Sequence, residues 1–509
     1  MLSLPRRRLR VNRLETGSRP ELIPVNEPRS SCTQSPPRAY TSGMAQLTFK
    51  GATGEVTGSR YLLETDDARI LLECGLHQGG NDADEANREP LAELAGRLDA
   101  VVLSHGHLDH SGLLPKLVRD GYRGPIYCTP GTEELLEIML EDAAFVMSKD
   151  IEWENKWRRR ADKPLVEPVY DIDDVATTLG LCKAVPYGNT QTIAGDIRLT
   201  FRDAGHILGS AIVDLIVPSG GRDRHLVFSG DLGNPDAVLM HEPTRMEHAD
   251  HVLLESTYGD RDHRPMDDTI EEFAQILEQA AASGGNVMIP AFAVGRTQEI
   301  LYHLGMLHHA GRLPQQKVFL DSPMAIKVTE LYARLYKSLK SEDMERLHQA
   351  ANGDPGGYLP GLQVCRTVEE SMAINRITGG AIIIAGAGMC NGGRIRHHMK
   401  YNLWRREAHL VIVGFQASGT LGRRLVDGAE RVKLLGDEVA VKAKVHTLGG
   451  FSAHAGRTQL LDWARGFRDQ PVFHLVHGEP EAREALARGL RDELGAQAHV
   501  PAFGETITL

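Results

Sequence analysis

The residues best suited to chemistry lie in one short run, Ser104-His105-Gly106-His107-Leu108-Asp109-His110-Ser111-Gly112. Three imidazoles and a carboxylate within six residues, directly after the apolar Val101-Val102-Leu103, suit Zn²⁺. That ion takes histidine nitrogen and aspartate oxygen at about 2.0–2.2 Å. A loop leaving a strand can aim alternate side chains at two neighbouring points, His105 and His107 at one, Asp109 and His110 at the other. A polar surface loop rich in histidine by chance is the plain alternative, and such density speaks against it. Further ligands must come from other strand ends. His206 stands between glycines in Gly205-His206-Ile207-Leu208-Gly209-Ser210, where backbone can approach closely. Asp231 in Ser229-Gly230-Asp231-Leu232-Gly233 can bridge two cations, and His477 follows Leu475-Val476. Singly each is weak, because a lone histidine is more often structural and an aspartate among glycines commonly forms a turn. Jointly they complete two coordination spheres.

In their order along the chain, His105-x-His107-x-Asp109-His110, His206, Asp231 and His477 resemble the metal motifs of the metallo-β-lactamase superfamily. The resemblance implies one zinc on His105, His107 and His206 and a second on Asp109, His110 and His477, with Asp231 and a hydroxide bridging them. Leu254-Glu255-Ser256-Thr257-Tyr258-Gly259 resembles the acidic motif that opens a β-CASP insertion, and Gly450-Phe451-Ser452-Ala453-His454-Ala455-Gly456 the second β-CASP motif. His477, 23 residues after His454, is the third. A histidine there is similar to RNA-processing members, whereas DNA-directed relatives tend to carry an apolar residue. Ile289–Glu299, Leu320–Met324 and Gly388–Arg394, the last leading to His397-His398, are similar to bacterial β-CASP proteins and to the cleavage endonuclease of the eukaryotic mRNA 3′-end machinery. The resemblance runs from about Ala45 to near the C-terminus. It implies a metallo-β-lactamase αβ/βα sandwich with an inserted α/β β-CASP domain, two Zn²⁺ per chain, and a cytoplasmic ribonuclease whose substrate is RNA.

Phosphodiester hydrolysis needs an activated nucleophile, neutralised nonbridging oxygens and a protonated leaving group. Two metals about 3.5–4 Å apart supply the first two. His454, oriented by Glu255, is the natural general acid, since a nearby carboxylate favours imidazolium. Asp109 joins them as a catalytic candidate. The bland alternatives are a turn carboxylate and an ordinary loop histidine. Glu73, in Leu72-Glu73-Cys74-Gly75, stands where the family usually has Asp, as a carboxylate that orients a ligand from behind. Ala387 stands where related loops often have Ser. Val294-Gly295-Arg296 and Gly392-Gly393-Arg394 precede helical patterns, so Arg296, Arg394, His397 and His398 are candidate RNA phosphate contacts. Equally, those glycines merely let the chain turn. Lys156-Trp157-Arg158-Arg159-Arg160 reads either as a basic aromatic RNA contact or, more commonly, as a solvated helix face.

The elements that must position these residues read as a layered α/β chain. Strand patterns at Leu47–Phe49, Arg60–Leu63, Ile70–Leu72 and Ala100–Leu103 precede a helix over Gly112–Arg119. Strands Ile197–Phe201, Ala211–Val217, His225–Phe228 and His251–Leu254 follow. A second pattern alternates strand Asn286–Pro290, helix Arg296–His308, strand Lys317–Leu320, helix Pro323–Leu339, strand Ala381–Ile384, helix Arg394–Leu403 and strand His409–Val413. Because six ligands precede Glu255 and one lies far beyond it, the expected domains are 44–254 and 441–509 for the metal-binding part and 255–440 for the insertion. Residues 1–43, rich in Arg, Pro and Ser, are expected to be a disordered extension, with Met44 opening the folded part.

At 509 residues the chain exceeds one comfortable core. Its longest apolar runs fall short of the roughly 20 residues of a membrane span. Six scattered cysteines without a CxxC pair argue for a reducing compartment. The net charge of −11 argues against a general nucleic-acid binder, so an RNA site must concentrate its cations locally. Rival readings are a DNA-directed β-CASP nuclease, opposed by His477, and a small-molecule zinc hydrolase, which has no use for Glu255 or His454. A weakly active scaffold is opposed by the complete ligand set. Endo- or 5′-exonucleolytic mode and homo-oligomerisation stay open.

Overall fold

The computed structural model describes residues 43–350, 357–417 and 419–509. The expectation of disorder over residues 1–43 falls, but for Gly43, outside them. Among the described residues, two seven-stranded sheets face one another. The first orders Thr506–Thr508, Gln46–Phe49, Tyr61–Glu64, Arg69–Leu72, Ala100–Val102, Ile126–Cys128 and Cys182–Ala184. The second orders Gln497–His499, Val472–Val476, His251–Glu255, Arg222–Phe228, Ala211–Ser219, Arg198–Asp203 and Thr190–Thr192.

The two-residue period of the strands explains the layering. Ile70, Leu72, Ala100 and Val102 point into the core between the sheets, against Leu199, Phe201, Leu226 and Phe228. Their neighbours Leu71, Val101 and Leu103 point the other way, onto Leu114, Leu117, Leu136 and Leu140 of the covering helices. On the second sheet Val227, Val252 and Leu254 likewise meet Leu460, Leu461 and Leu486. Strands apolar on both faces are covered on both faces, each such side chain contributing about 1.5–3 kcal/mol by leaving water.

A third sheet orders Leu362–Val364, Lys317–Leu320, Ala381–Ala385, Val287–Pro290, His409–Ile412 and Lys444–Thr447, every pair parallel. It forms the inserted α/β domain, with separate apolar clusters on its two faces. Because Lys444–Thr447 pairs with His409–Ile412 in this sheet, the chain returns to the first two sheets after Thr447 rather than at 441.

Several further elements depart from the sequence reading. A 31-residue helix, Pro130–Arg160, was not anticipated, nor were Ile172–Leu181, Met266–Ser283 and the hairpin Arg431–Leu434/Asp437–Ala440. The helix after Ser322 ends at Arg334 and continues only as a tight turn, Tyr336–Ser338. No helix of the described residues is long and apolar enough to cross a membrane.

Candidate metal centre

The cluster residues stand at strand ends or in the loops and short helix that follow them. The motif loop leaves Ala100–Val102, and His107 caps the short helix Leu108–Ser111 that carries Asp109 and His110. Three parallel neighbours, Arg222–Phe228, His251–Glu255 and Val472–Val476, end along one edge of the second sheet and deliver Asp231, Glu255 and His477. His206 lies in the turn between Arg198–Asp203 and Ala211–Ser219. Gly209 makes that turn possible: its φ is +81°, and a Cβ there would lie 2.3 Å from the Thr132 backbone nitrogen. His477 itself adopts φ 49°, an uncommon conformation for a residue with a Cβ.

Two groups of ligand atoms result. His105 Nε2 and His206 Nε2 stand 3.1 and 3.2 Å from His107 Nδ1. His110 Nε2 and His477 Nε2 stand 3.1 Å apart, with Asp109 Oδ2 3.6 Å from the latter. Asp231 lies between them. Its Oδ2 faces His105 and His206 at 3.5 and 3.6 Å, and its Oδ1 faces His110 and His477 at 3.4 and 3.5 Å.

Outer partners meet the Nδ1 atoms of four of the five rings and so orient them. His206 Nδ1 donates to the Ala453 carbonyl, His110 Nδ1 to Glu73 Oε2, and Ser104 Oγ and Thr257 Oγ1 meet the Nδ1 atoms of His105 and His477. Glu73 also accepts from Ser104 N at 2.6 Å, so its longer side chain clasps both the motif loop and a histidine of the cluster. Ser104, Thr257 and the Ala453 carbonyl were not singled out from sequence. Ser104 and Thr257 flank motif residues directly, which is the signal that was there to use.

The arrangement fits divalent zinc. Nitrogens bound at about 2.0–2.1 Å around one tetrahedral ion stand about 3.3–3.4 Å apart, close to the separations found here. With its Nδ1 donating to the Ala453 carbonyl, a neutral His206 turns the lone pair of its other nitrogen inward, buried Asp231 Oδ1 is left without a hydrogen-bond partner, and around His110 the carboxylates of Asp231 and Glu73 outweigh burial and favour positive charge. Converging acceptors of this kind need a cation. Burial, reinforced by neighbouring histidines, holds His105, His107 and His206 below the usual imidazole range, His107 at about 4, which keeps them neutral and able to ligate.

Beside the cluster, His454 Nδ1 lies 3.2 Å from Glu255 Oε1. Glu255 is fully buried and also accepts from Leu232 N and Thr257 N, which commits both its oxygens and fixes its plane. Burial opposes the charge on His454, but Glu255, with Asp231 behind it, outweighs burial and raises the pKa to about 9. Cations held by the adjoining residues would draw it down again.

The phosphate-contact candidates are placed differently. Arg296 is buried and ion-paired with Glu299, and His398 is fully buried with Nε2 on Asp321 at 2.6 Å. Both side chains are thus already paired within the protein, Arg296 keeping 6% side-chain exposure and His398 none. Arg394 is spent on Asp321 and on the Cys365 and Arg366 carbonyls, while His397 is exposed. Ala387 lies in the loop that turns back on Gly393.

Three family models match the chain: a Beta-lactamase superfamily domain over residues 68–290, a Beta-Casp domain over 297–425 and a Zn-dependent metallo-hydrolase RNA specificity domain over 438–501. Ribonuclease TTHA0252 of Thermus thermophilus is 43% identical over 458 residues, covering 90% of this chain and 98% of its own. Proteins named transcription termination factor FttA are more distant, that of Cenarchaeum symbiosum being 32% identical over 93% of this chain and 72% of its own. A crystal structure of a protein of unknown function from Enterococcus faecalis V583 shares the fold, with a TM-score of 0.50 at 13% identity over 92% of this chain and all of that one.

Proposed function

The chain belongs to the β-CASP family of metallo-β-lactamase-fold hydrolases, and from that premise we propose that it is a ribonuclease working with two Zn²⁺ per chain. The observation that carries the reading is Asp231 set between two histidine groups, one oxygen turned to each, with the Glu255–His454 pair alongside. His105, His107 and His206 would hold one ion, Asp109, His110 and His477 the other, and Asp231 would touch both. A zinc pair there supplies an acidified water and positive charge against the phosphate oxygens.

The remaining work falls to the protein. Glu73, Thr257 and the Ala453 carbonyl hold the ligand rings in register, so no reorganisation is needed when charge develops. His454 turns Nδ1 to Glu255 and leaves Nε2 for the substrate. From there it donates a proton to the departing oxygen, while the buried Glu255 carboxylate holds the ring in place and stabilises its charged form. A small-molecule hydrolase has no need of this pair, and its presence favours a poor leaving group such as a ribose oxygen. RNA as the polymer is supported by the name of the Thermus relative and by the RNA specificity model over 438–501. Incubating purified protein with end-labelled RNA and sequence-matched DNA, with and without chelator, tests the proposal. Chelator-sensitive cleavage of RNA is expected, and cleavage of DNA alone, or none without chelator, overturns it.

A further inference from the structure

The long helix Pro130–Arg160 starts beside the catalytic cluster and leaves it. Thr129 and Thr132 at its first turn bond the Gly209 carbonyl, and Leu135 packs with Ile207 and Leu208 of the His206 turn. At about 1.5 Å per residue, Trp153 lies about 27 Å beyond Leu135. The far half of the helix carries an unusual surface. Of the four tryptophans in the chain two are here, Trp153 at 73% exposure and Trp157 at 54%.

With about 100° per residue, Val146, Lys149, Trp153, Lys156, Trp157 and Arg160 fall within an arc of about 100°. All six are exposed. Between Val146 and Arg160 no carboxylate lies inside that arc; Asp150 and Glu152 flank it, the latter pairing with Lys149. Lys163, past the helix end, sits over the Trp157 ring at 5.0 Å. Basic residues at a helix C-terminus answer the macrodipole, which accounts for the cations. It does not account for two indoles set one turn apart in water.

We propose that this arc is a docking platform for single-stranded RNA outside the catalytic cleft, on which bases stack against Trp153 and Trp157 while the cations meet the phosphates. Aromatic faces interleaved with Lys and Arg are what sequence-tolerant single-strand binding requires. The chain's net charge of −11 makes such a local concentration of cations the more distinctive. The inference rests on RNA being the substrate, and it gives the protein a grip on RNA at a distance from the bond it cuts.

Two substrates separate the platform from the cleft: a uridine oligomer of about 4 nucleotides, the lower end of single-strand site sizes, and a homopolymer several times longer. Cleavage is measured in the full chain, and binding by fluorescence anisotropy in the His454→Ala background. Trp153→Ala/Trp157→Ala should weaken binding of the long RNA roughly 10-fold or more and raise its KM, with the short oligomer unaffected. Trp153→Phe/Trp157→Phe should retain most of the affinity, because a stacking face remains. Lys156→Ala with Arg160→Ala should lower the salt slope of binding by about one per cation removed. Unchanged long-RNA binding in the double alanine variant overturns the platform while leaving the ribonuclease reading intact. A wild-type dimer that dissociates in the same variant also overturns it, because the face would then be an interface between copies. If the wild type cuts no RNA, the ribonuclease reading fails, and the binding measurements alone decide the platform.

Discussion

His454 carries the sharpest distinction between a nuclease and a generic zinc hydrolase, because it touches the cluster without belonging to it. His454→Ala should keep its zinc, measured by elemental analysis, and lose about 10²–10⁴-fold in RNA cleavage. Glu255→Gln should fall in the same direction, and the double variant should be little worse than either alone, since residues acting as a unit are not additive. A substrate with a better leaving group needs less protonation and should partly rescue His454→Ala; equal defects on good and poor leaving groups would mean that the ring positions rather than protonates. The ligands should behave oppositely. His206→Ala and His477→Ala should each lower zinc content along with activity, and unchanged zinc in both would count decisively against the assignment. The single-residue signals were legible in sequence because they are local: a dense loop and three short strings at strand ends. Of their outer partners Glu73 was read, from the family motif it stands in, but Thr257 and the Ala453 carbonyl were not, since they meet His477 across 220 positions and His206 across 247.

Among the elements, short alternating strands were readable because their period separates the two cores, as in Ala100-Val101-Val102-Leu103. The helix Pro130–Arg160 was not, because its fully buried residues stop at Ala144 and beyond them only partly buried side chains such as Met147 and Asn155 meet the rest of the protein. Arg296 teaches a related lesson. An arginine after a glycine at a helix start reads as an anion contact, yet here it turns inward onto Glu299, and only the packing around it decides which. Arg296→Ala would leave Glu299 buried without its partner, at a cost of about 3–5 kcal/mol. Burial raises the Glu299 pKa against the pull of Arg296, so removing the arginine raises it further. A carboxyl raised in the folded state favours folding when protonated. The variant's deficit should therefore be smallest below the ordinary carboxylate range and grow as pH rises. Denaturant midpoints at acid and neutral pH check the sign, and a deficit that shrinks towards neutrality would contradict it.

For the molecule as a whole, the cluster ties together loops of both facing sheets, so occupied metal sites should act as a clamp on the native state. At free zinc about 100 times the dissociation constant, each site adds about 2.7 kcal/mol. Chelator should accordingly lower the melting temperature of the wild type clearly and that of a His206→Ala/His477→Ala variant little; equal shifts in both would place the bound metal elsewhere. The same closure has a consequence in time. The strand Val472–Val476 is hydrogen-bonded between His251–Glu255 and Gln497–His499, and it brings His477 to a cluster whose other members lie before residue 232. A ribosome adding about 5–20 residues per second passes the inserted sheet before it delivers that strand. Until then His251–Glu255 has one neighbour missing and His110 lacks the His477 ring. On the proposed ligand assignment, the metal centre is therefore completed only when most of the chain has been made.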